Sequence, residues 1–142
     1  MNNKIEWKFV KDKPSLEDIN NVENKFNVKL PLDYIECIKE KNGGRPRPKT
    51  FDFDEHKEMV FSSLLSIMEK DKENVIDVYE WIKDRLPDNT YPFAKDSFGN
   101  YICFKYEEEN TYIVFWDHEK SNKEESNKFI CETFEEFLNK SY

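Results

Sequence analysis

The sequence is short of glycine, with 3 in 142 residues, of cysteine, with 3, and of histidine, with 2, and it contains no long apolar run. Each shortage excludes a kind of chemistry. Gly99 has no Gly-rich loop around it and reads as a tight turn, not a phosphate cradle. His56 and His118 lie beside carboxylates, in Asp54-Glu55-His56 and Asp117-His118-Glu119, but neither has the spacing of helical metal ligands, so no metal and no cofactor are expected. Cys37, Cys103 and Cys131 are odd in number, far apart and set among apolar residues, which is the pattern of reduced core thiols. Cys103 can be drawn with His118 and Asp117 as a nucleophilic set, yet a thiol in an apolar strand is raised in pKa and inert. The longest apolar run, Tyr112 to Trp116, is far too short to span a bilayer, and Met1 to Trp7 lack the apolar core of a signal peptide. The expectations are no membrane partner and a cytoplasmic location.

Positive charge is also in deficit. With 22 basic and 30 acidic residues the formal charge is −8, the wrong sign for neutralising the phosphates of a nucleic acid and the right one for a basic protein surface. What the chain does have is rings: aromatics make up 15% of it, and 12 residues are Phe, so large side chains carry much of the burial. A chain of this length buries about 68–70% of its unfolded surface around one core. One domain over residues 1–142 is expected.

Ser15-Leu16-Glu17-Asp18 resembles a capping box after Pro14, and Leu16, Ile19, Val22 and Phe26 recur at helical spacing, which predicts a helix over about 15–27. Tyr34, Cys37 and Ile38 after Leu30-Pro31 predict a second over about 31–41, closed by Asn42-Gly43-Gly44. Arg45-Pro46-Arg47-Pro48-Lys49 has too many prolines for regular structure. Thr50 to Phe53 and Met59 to Phe61 read as short strands joined by Asp54-Glu55-His56. Asn74 caps a third helical stripe, Val75, Val78, Tyr79, Ile82 and Leu86, which Pro87 ends. Tyr101 to Phe104 and Tyr112 to Trp116 form the central hairpin around Glu107-Glu108-Glu109-Asn110. After a charged loop over 117–127, Phe129 to Cys131 add a strand, and Thr133 with Glu136 caps a last short helix carrying Phe134, Phe137 and Leu138.

In this order the pieces resemble the SUKH superfamily, which includes many bacterial immunity proteins and the yeast cell-wall-synthesis regulators. The likeness rests on Ile19-x-x-Val22-Glu23-x-x-Phe26, Leu30-Pro31-x-x-Tyr34 and Asn42-Gly43-Gly44, then on Tyr91 to Asp96 leading through Phe98-Gly99-Asn100 into the central strand, and on Val114 to His118 and Thr133 to Leu138. One position departs: many members place an acidic residue just after the central strand, where this chain has Lys105. The resemblance implies an α+β domain with a mostly antiparallel sheet and flanking helices, acting by binding and not by catalysis. In the bacterial branch it implies an antidote to the toxin domain of a polymorphic toxin; the competing expectation is a regulatory scaffold that serves no toxin, and an enzyme is the third.

The residues singled out for partner contact are Asp52, Asp54, Glu55, Asp96, Glu107, Glu108, Glu109, Trp116 and Asp117. Like charges crowded on loops repel unless a cation meets them, although charge runs also serve as plain solvated surface. Trp116, Tyr101 and Tyr112 are interface anchors if their rings face outward and core if they face inward. Arg45, Arg47 and Lys49 form the one compact basic patch, suited to a phosphate or an acidic peptide, or simply a solvated loop near a helix carboxyl end. The assembly expected is a monomer or weak homodimer.

Overall fold

Ser15 and Asp18 close a reciprocal capping box in the computed structural model, which describes residues 5–120 and 122–142. The Ser15 hydroxyl accepts from Asp18 N at 3.1 Å, and the Asp18 carboxylate accepts from Ser15 N at 2.8 Å. Helix α1 (Leu16–Phe26) follows and buries Ile19, Val22 and Phe26. Leu16, expected on that stripe, is 70% exposed because the first turn of the helix lies in solvent. Helix α2 (Leu32–Lys41) buries Tyr34, Cys37 and Ile38. It stops where Gly43 takes the left-handed conformation at φ 67, and where a Cβ on Gly44 would meet Lys41 O at 2.9 Å. The fully buried Asn42 then ties three segments together: its amide accepts from Ile67 N and donates to Asp12 O and to the Ser66 hydroxyl.

The proline-rich stretch corrects the expectation of an irregular chain. Strand β1 (Glu6–Lys8) pairs antiparallel with β2 (Arg45–Arg47), with Pro46 opposite Trp7. A two-stranded ribbon has edge positions where a missing N–H is harmless, so the sheet tolerates the proline. The next hairpin, β3 (Thr50–Phe53) with β4 (His56–Val60), begins its second strand earlier than expected, at His56, and Asp54 turns the chain at φ 49.

Five strands make the main sheet in the order β5 (Ser63–Leu64), β6 (Thr90–Lys95), β7 (Tyr101–Glu107), β8 (Asn110–Trp116) and β9 (Asn127–Cys131), each antiparallel to its neighbour. Strand β6 carries Pro92, and its register shifts between Pro92 and Ala94, where a bulge absorbs the lost donor. Helix α3 (Val75–Ile82) starts at Asn74, whose side chain accepts from Asp77 N at 2.8 Å, and packs on β6. Leu86 lies beyond its end but is still buried, held by a turn back to Ile82 O. A short helix α4 (Lys123–Ser126) interrupts the loop expected there, and α5 (Phe134–Asn139) is capped by Thr133 accepting from Glu136 N. The fold is an α+β domain with a mostly antiparallel sheet.

Strands β7 and β8 are covered on both faces, which follows from their period of two. Ile102, Phe104, Ile113 and Phe115 face the main core with Phe93, Tyr34, Phe134 and Phe137. Cys103, Val114 and Trp116 face the other side with Leu86, flanked by Tyr79, Ile82 and Tyr101. Phe93 stacks on Phe104 at 4.2 Å between centroids, and Tyr34 meets Phe104, Phe134 and Phe93 edge-on at 5.0, 5.4 and 5.8 Å. Such pairs contribute about 0.5–1.5 kcal/mol each beyond area burial. The Tyr34 hydroxyl has no hydrogen-bond partner among the described residues, and burial raises its pKa. Two substitutions separate these effects in chemical denaturation. Phe137→Ala, at a fully buried ring, is expected to cost about 3–5 kcal/mol. Tyr34→Phe removes an unsatisfied group and is expected to stabilise by about 1 kcal/mol.

Candidate binding surfaces

The β7–β8 turn projects Glu107, Glu108 and Glu109 from the end of the central hairpin. Glu108 sits at φ 54, which makes the turn sharp, and all three side chains are exposed with no ion pair among the described residues. The turn is fixed from below: the Tyr106 hydroxyl donates to Lys29 O at 2.8 Å and the Tyr91 hydroxyl to Phe26 O at 3.4 Å. Between this turn and the loop joining α1 to α2 runs an open groove of about 440 Å³, lined by Asn27, Val28, Lys29, Asn89, Tyr106, Glu108, Glu109 and Thr111. A hydrogen bond to Glu107, then desolvation and the charges of Glu107, Glu108 and Glu132, raise the Tyr112 phenol above its usual pKa.

The other acidic cluster is divided in its roles. Asp52 is a fastener: its Oδ1 accepts from the Tyr142 hydroxyl at 2.6 Å and from Glu58 N at 2.8 Å, and these bonds hold its carboxyl below the usual range. Asp54 and Glu55 stay exposed at the β3–β4 tip. Phe53 meets Phe115 at 5.6 Å, five residues along β8 from Asn110 and so about 17 Å from the β7–β8 turn at the rise of a strand. The two clusters are separate surfaces, not one.

Three residues expected at a partner contact are occupied inside the molecule. Trp116 is 1% exposed, stacked beneath Tyr101 at 6.1 Å with the Arg85 guanidinium 5.2 Å over its ring, so it is core. Asp96 is 5% exposed and accepts from Phe98 N, Asn100 N and Asn100 Nδ2 at 2.8–2.9 Å. It holds the β6–β7 turn, where Gly99 stands at φ 91. Asp117 accepts from Glu119 N at 3.0 Å and pairs with Lys128 at 3.2 Å. Lys105, the departing position, lies within β7 and donates to Asp88 O.

The drawn nucleophilic set does not assemble. Burial raises the Cys103 thiol well above its usual pKa, and His118 Nδ1 lies 2.6 Å from Asn100 Oδ1 instead. Among the described residues no group of three His, Cys, Asp or Glu side chains is placed to hold a metal ion. None of the described helices is long and apolar enough to cross a membrane. The sequence reading missed a polar cleft of about 380 Å³ beside the β6–β7 turn, because its walls come from Arg45, Ser62, Glu73, Lys95, Ser97 and Tyr101, which the topology alone brings together.

A helix, proline, helix, glycine order followed by a fastened Asp-x-x-Gly-Asn turn and a buried central hairpin is thus realised in three dimensions. The family model SUKH_6, described as SMI1-KNR4 cell-wall, matches residues 16–138. The chain belongs to the SUKH family. A similar protein is the SPbeta prophage-derived uncharacterized protein YokK of Bacillus subtilis (strain 168), 39% identical over 66 residues. That match takes in 46% of this chain and 32% of YokK, so the chain spans about a third of that relative's length.

The thiols of this SUKH domain supply a direct check on the geometry. Burial pushes Cys37 and Cys131 up to about 12 and Cys103 well above its ordinary value. Reaction with a thiol-specific disulfide reagent at pH 8 is expected to be negligible in the native protein and to give three equivalents after unfolding. A fast-reacting thiol in the native state would contradict the placement. A second check uses Asp52, whose low pKa adds stability above its unfolded pKa that is lost as pH falls through the folded value. Tyr142→Phe is expected to move the Asp52 titration upward in a carboxyl-carbon NMR experiment, and with it the acid limb of stability.

Proposed function

We propose that this SUKH domain is an immunity protein that binds and neutralises a cognate toxin domain of nuclease type in the cytoplasm, by covering the toxin's active site or substrate groove. The observation that carries the reading is the exposed carboxylate turn, Glu107 to Glu109, which makes no ion pair among the described residues and sits at the end of the sheet in a chain of formal charge −8. A nuclease domain must attract phosphates and is therefore basic. An acidic antidote approaches such a domain under electrostatic steering and competes for the same groove. Each exposed ion pair contributes only about 0–1 kcal/mol, so charge governs rate and orientation while the fit of the surrounding groove governs how long the complex lasts.

The cell-wall description of the family favours a second reading, a non-enzymatic regulatory scaffold that binds a cellular protein and serves no toxin. Co-expression separates the two. The gene beside this one, if it encodes a toxin, should be tolerated only when this chain is present, and the two proteins should purify as a tight complex. Failure of the chain to protect against the adjacent toxin domain and several unrelated ones would leave the scaffold.

The charge argument has its own test. Replacing Glu107, Glu108 and Glu109 together by Lys is expected to slow association with that toxin domain by about tenfold or more in dilute buffer, and far less above 0.5 M salt, where screening acts within a few ångströms. Reversing Asp54 and Glu55 is expected to do the same on a smaller scale, since Asp52 beside them is already spent on Tyr142. Equal losses at both salt concentrations would argue against steering.

A further inference from the structure

The cleft beside the β6–β7 turn has a chemistry of its own, set by which of its polar groups are already engaged. Most of its side-chain acceptors are already engaged. Both oxygens of Asp96 take N–H groups of the turn, Asn100 Oδ1 accepts from His118 N at 3.0 Å, and Glu73 takes the Lys95 ammonium at 2.6 Å. Its donors are not. Arg45 makes no ion pair with a carboxylate among the described residues. Lys95 uses one of three N–H bonds on Glu73. The Ser62 and Ser97 hydroxyls are 2.7 Å apart, so one donates to the other and one hydrogen is left over. Burial, then the Glu73 charge, raises the Tyr101 phenol, which keeps it an O–H donor at neutral pH.

The guanidinium is also held in place. Arg45 lies 5.4 Å over the ring of Phe9, a residue 73% exposed at φ 54. A bulky residue is costly in that conformation, and its ring contact with Arg45 stations the fork at the mouth of the cleft. The neighbouring Arg47 is different: its guanidinium folds back to donate to Pro46 O at 2.8 Å. The basic patch of the sequence therefore divides into one engaged arginine and one unengaged.

A surplus of donors over acceptors selects an oxyanion, and charge decides which. Arg45 and Lys95 balance Glu73 and Asp96, so a monoanion enters at a lower electrostatic cost than a phosphate dianion. A planar carboxylate also matches the arginine fork. We propose that this cleft binds a carboxylate, gripped by Arg45 and completed by Lys95, the Ser62–Ser97 pair and Tyr101. The carboxylate belongs either to a small free acid or to the end of a protein chain. This assignment stands apart from the immunity reading and involves the opposite charge.

The test is an amide NMR titration of the intact chain with the monocarboxylate N-acetylalanine, with an N-acetylated tetrapeptide of uncharged side chains bearing a free terminal carboxylate, with the same tetrapeptide amidated, and with orthophosphate. Saturable shifts are expected at Ser97 to Tyr101 for the carboxylates and not for the amidated peptide. Saturation by N-acetylalanine as strong as by the peptide assigns a small acid, and a preference for the peptide assigns a chain terminus. Arg45→Gln should weaken binding by about tenfold or more while Arg47→Gln leaves it unchanged, and the amide spectrum itself reports whether each variant is folded. No saturable shift with any carboxylate, tighter binding of orthophosphate, or an Arg45→Gln variant that binds like the parent would overturn the proposal.

Discussion

The stack of Phe93 on Phe104, with Tyr34 edge-on against both, is the contact on which the rest of the molecule depends. It joins the bulged strand β6 to the central strand β7 and fastens α2 across the sheet. Phe134 and Phe137 of α5 close on the same rings, at 5.4 Å from Tyr34 and 6.0 Å from Phe93. A small domain with few long aliphatic stripes holds its helices by large rings, each burying area that several smaller residues would otherwise have to supply. Buried polar groups add ties of another kind: Asn42 joins three segments distant in sequence, and Asp96 closes the β6–β7 turn.

From that packing follows the way the surface is presented. Strands β7 and β8 have no freedom to slip, because a shift by one residue would exchange Phe104 and Ile113 for Cys103 and Val114 on the main face. The Glu107 to Glu109 turn is carried on this fixed pair, so the backbone that displays its charges is already set by the hairpin. The opposite end of the same sheet carries the Asp96-fastened turn and the cleft with Arg45. One scaffold thus displays an acidic projection at one end and a donor-rich recess at the other.

Much of this was legible in the sequence, and the reasons for the exceptions are physical. Helices α1, α3 and α5 are written in their caps, Ser15, Asn74 and Thr133, and in apolar spacing that matches 3.6 residues per turn. The β7–β8 hairpin is written in its β-branched and aromatic run. Strands β2 and β6 are not, because Pro46 and Pro92 argue against a ladder and only the pairing partner shows how a ribbon edge or a bulge accommodates them. The exposed acidic turn is local in sequence and legible there; the ring of Trp116, a candidate for contact or for core, can face either way in a strand, and the Arg85 and Tyr101 cover that buries it comes from other elements. The cleft was invisible for the same reason, since residues 45 to 101 meet in it only after folding.

The central claim is that the molecule acts as a rigid binding surface whose contact is led by the β7–β8 turn. Hydrogen–deuterium exchange of the chain, alone and in complex with the proposed cognate toxin domain, tests that claim most directly. The account predicts slowed exchange over residues 106–111 and the adjoining α1–α2 loop, with the core strands unchanged. Protection confined to other surfaces, such as the exposed side of α3 around Trp81, with the turn exchanging as freely as before, would contradict it.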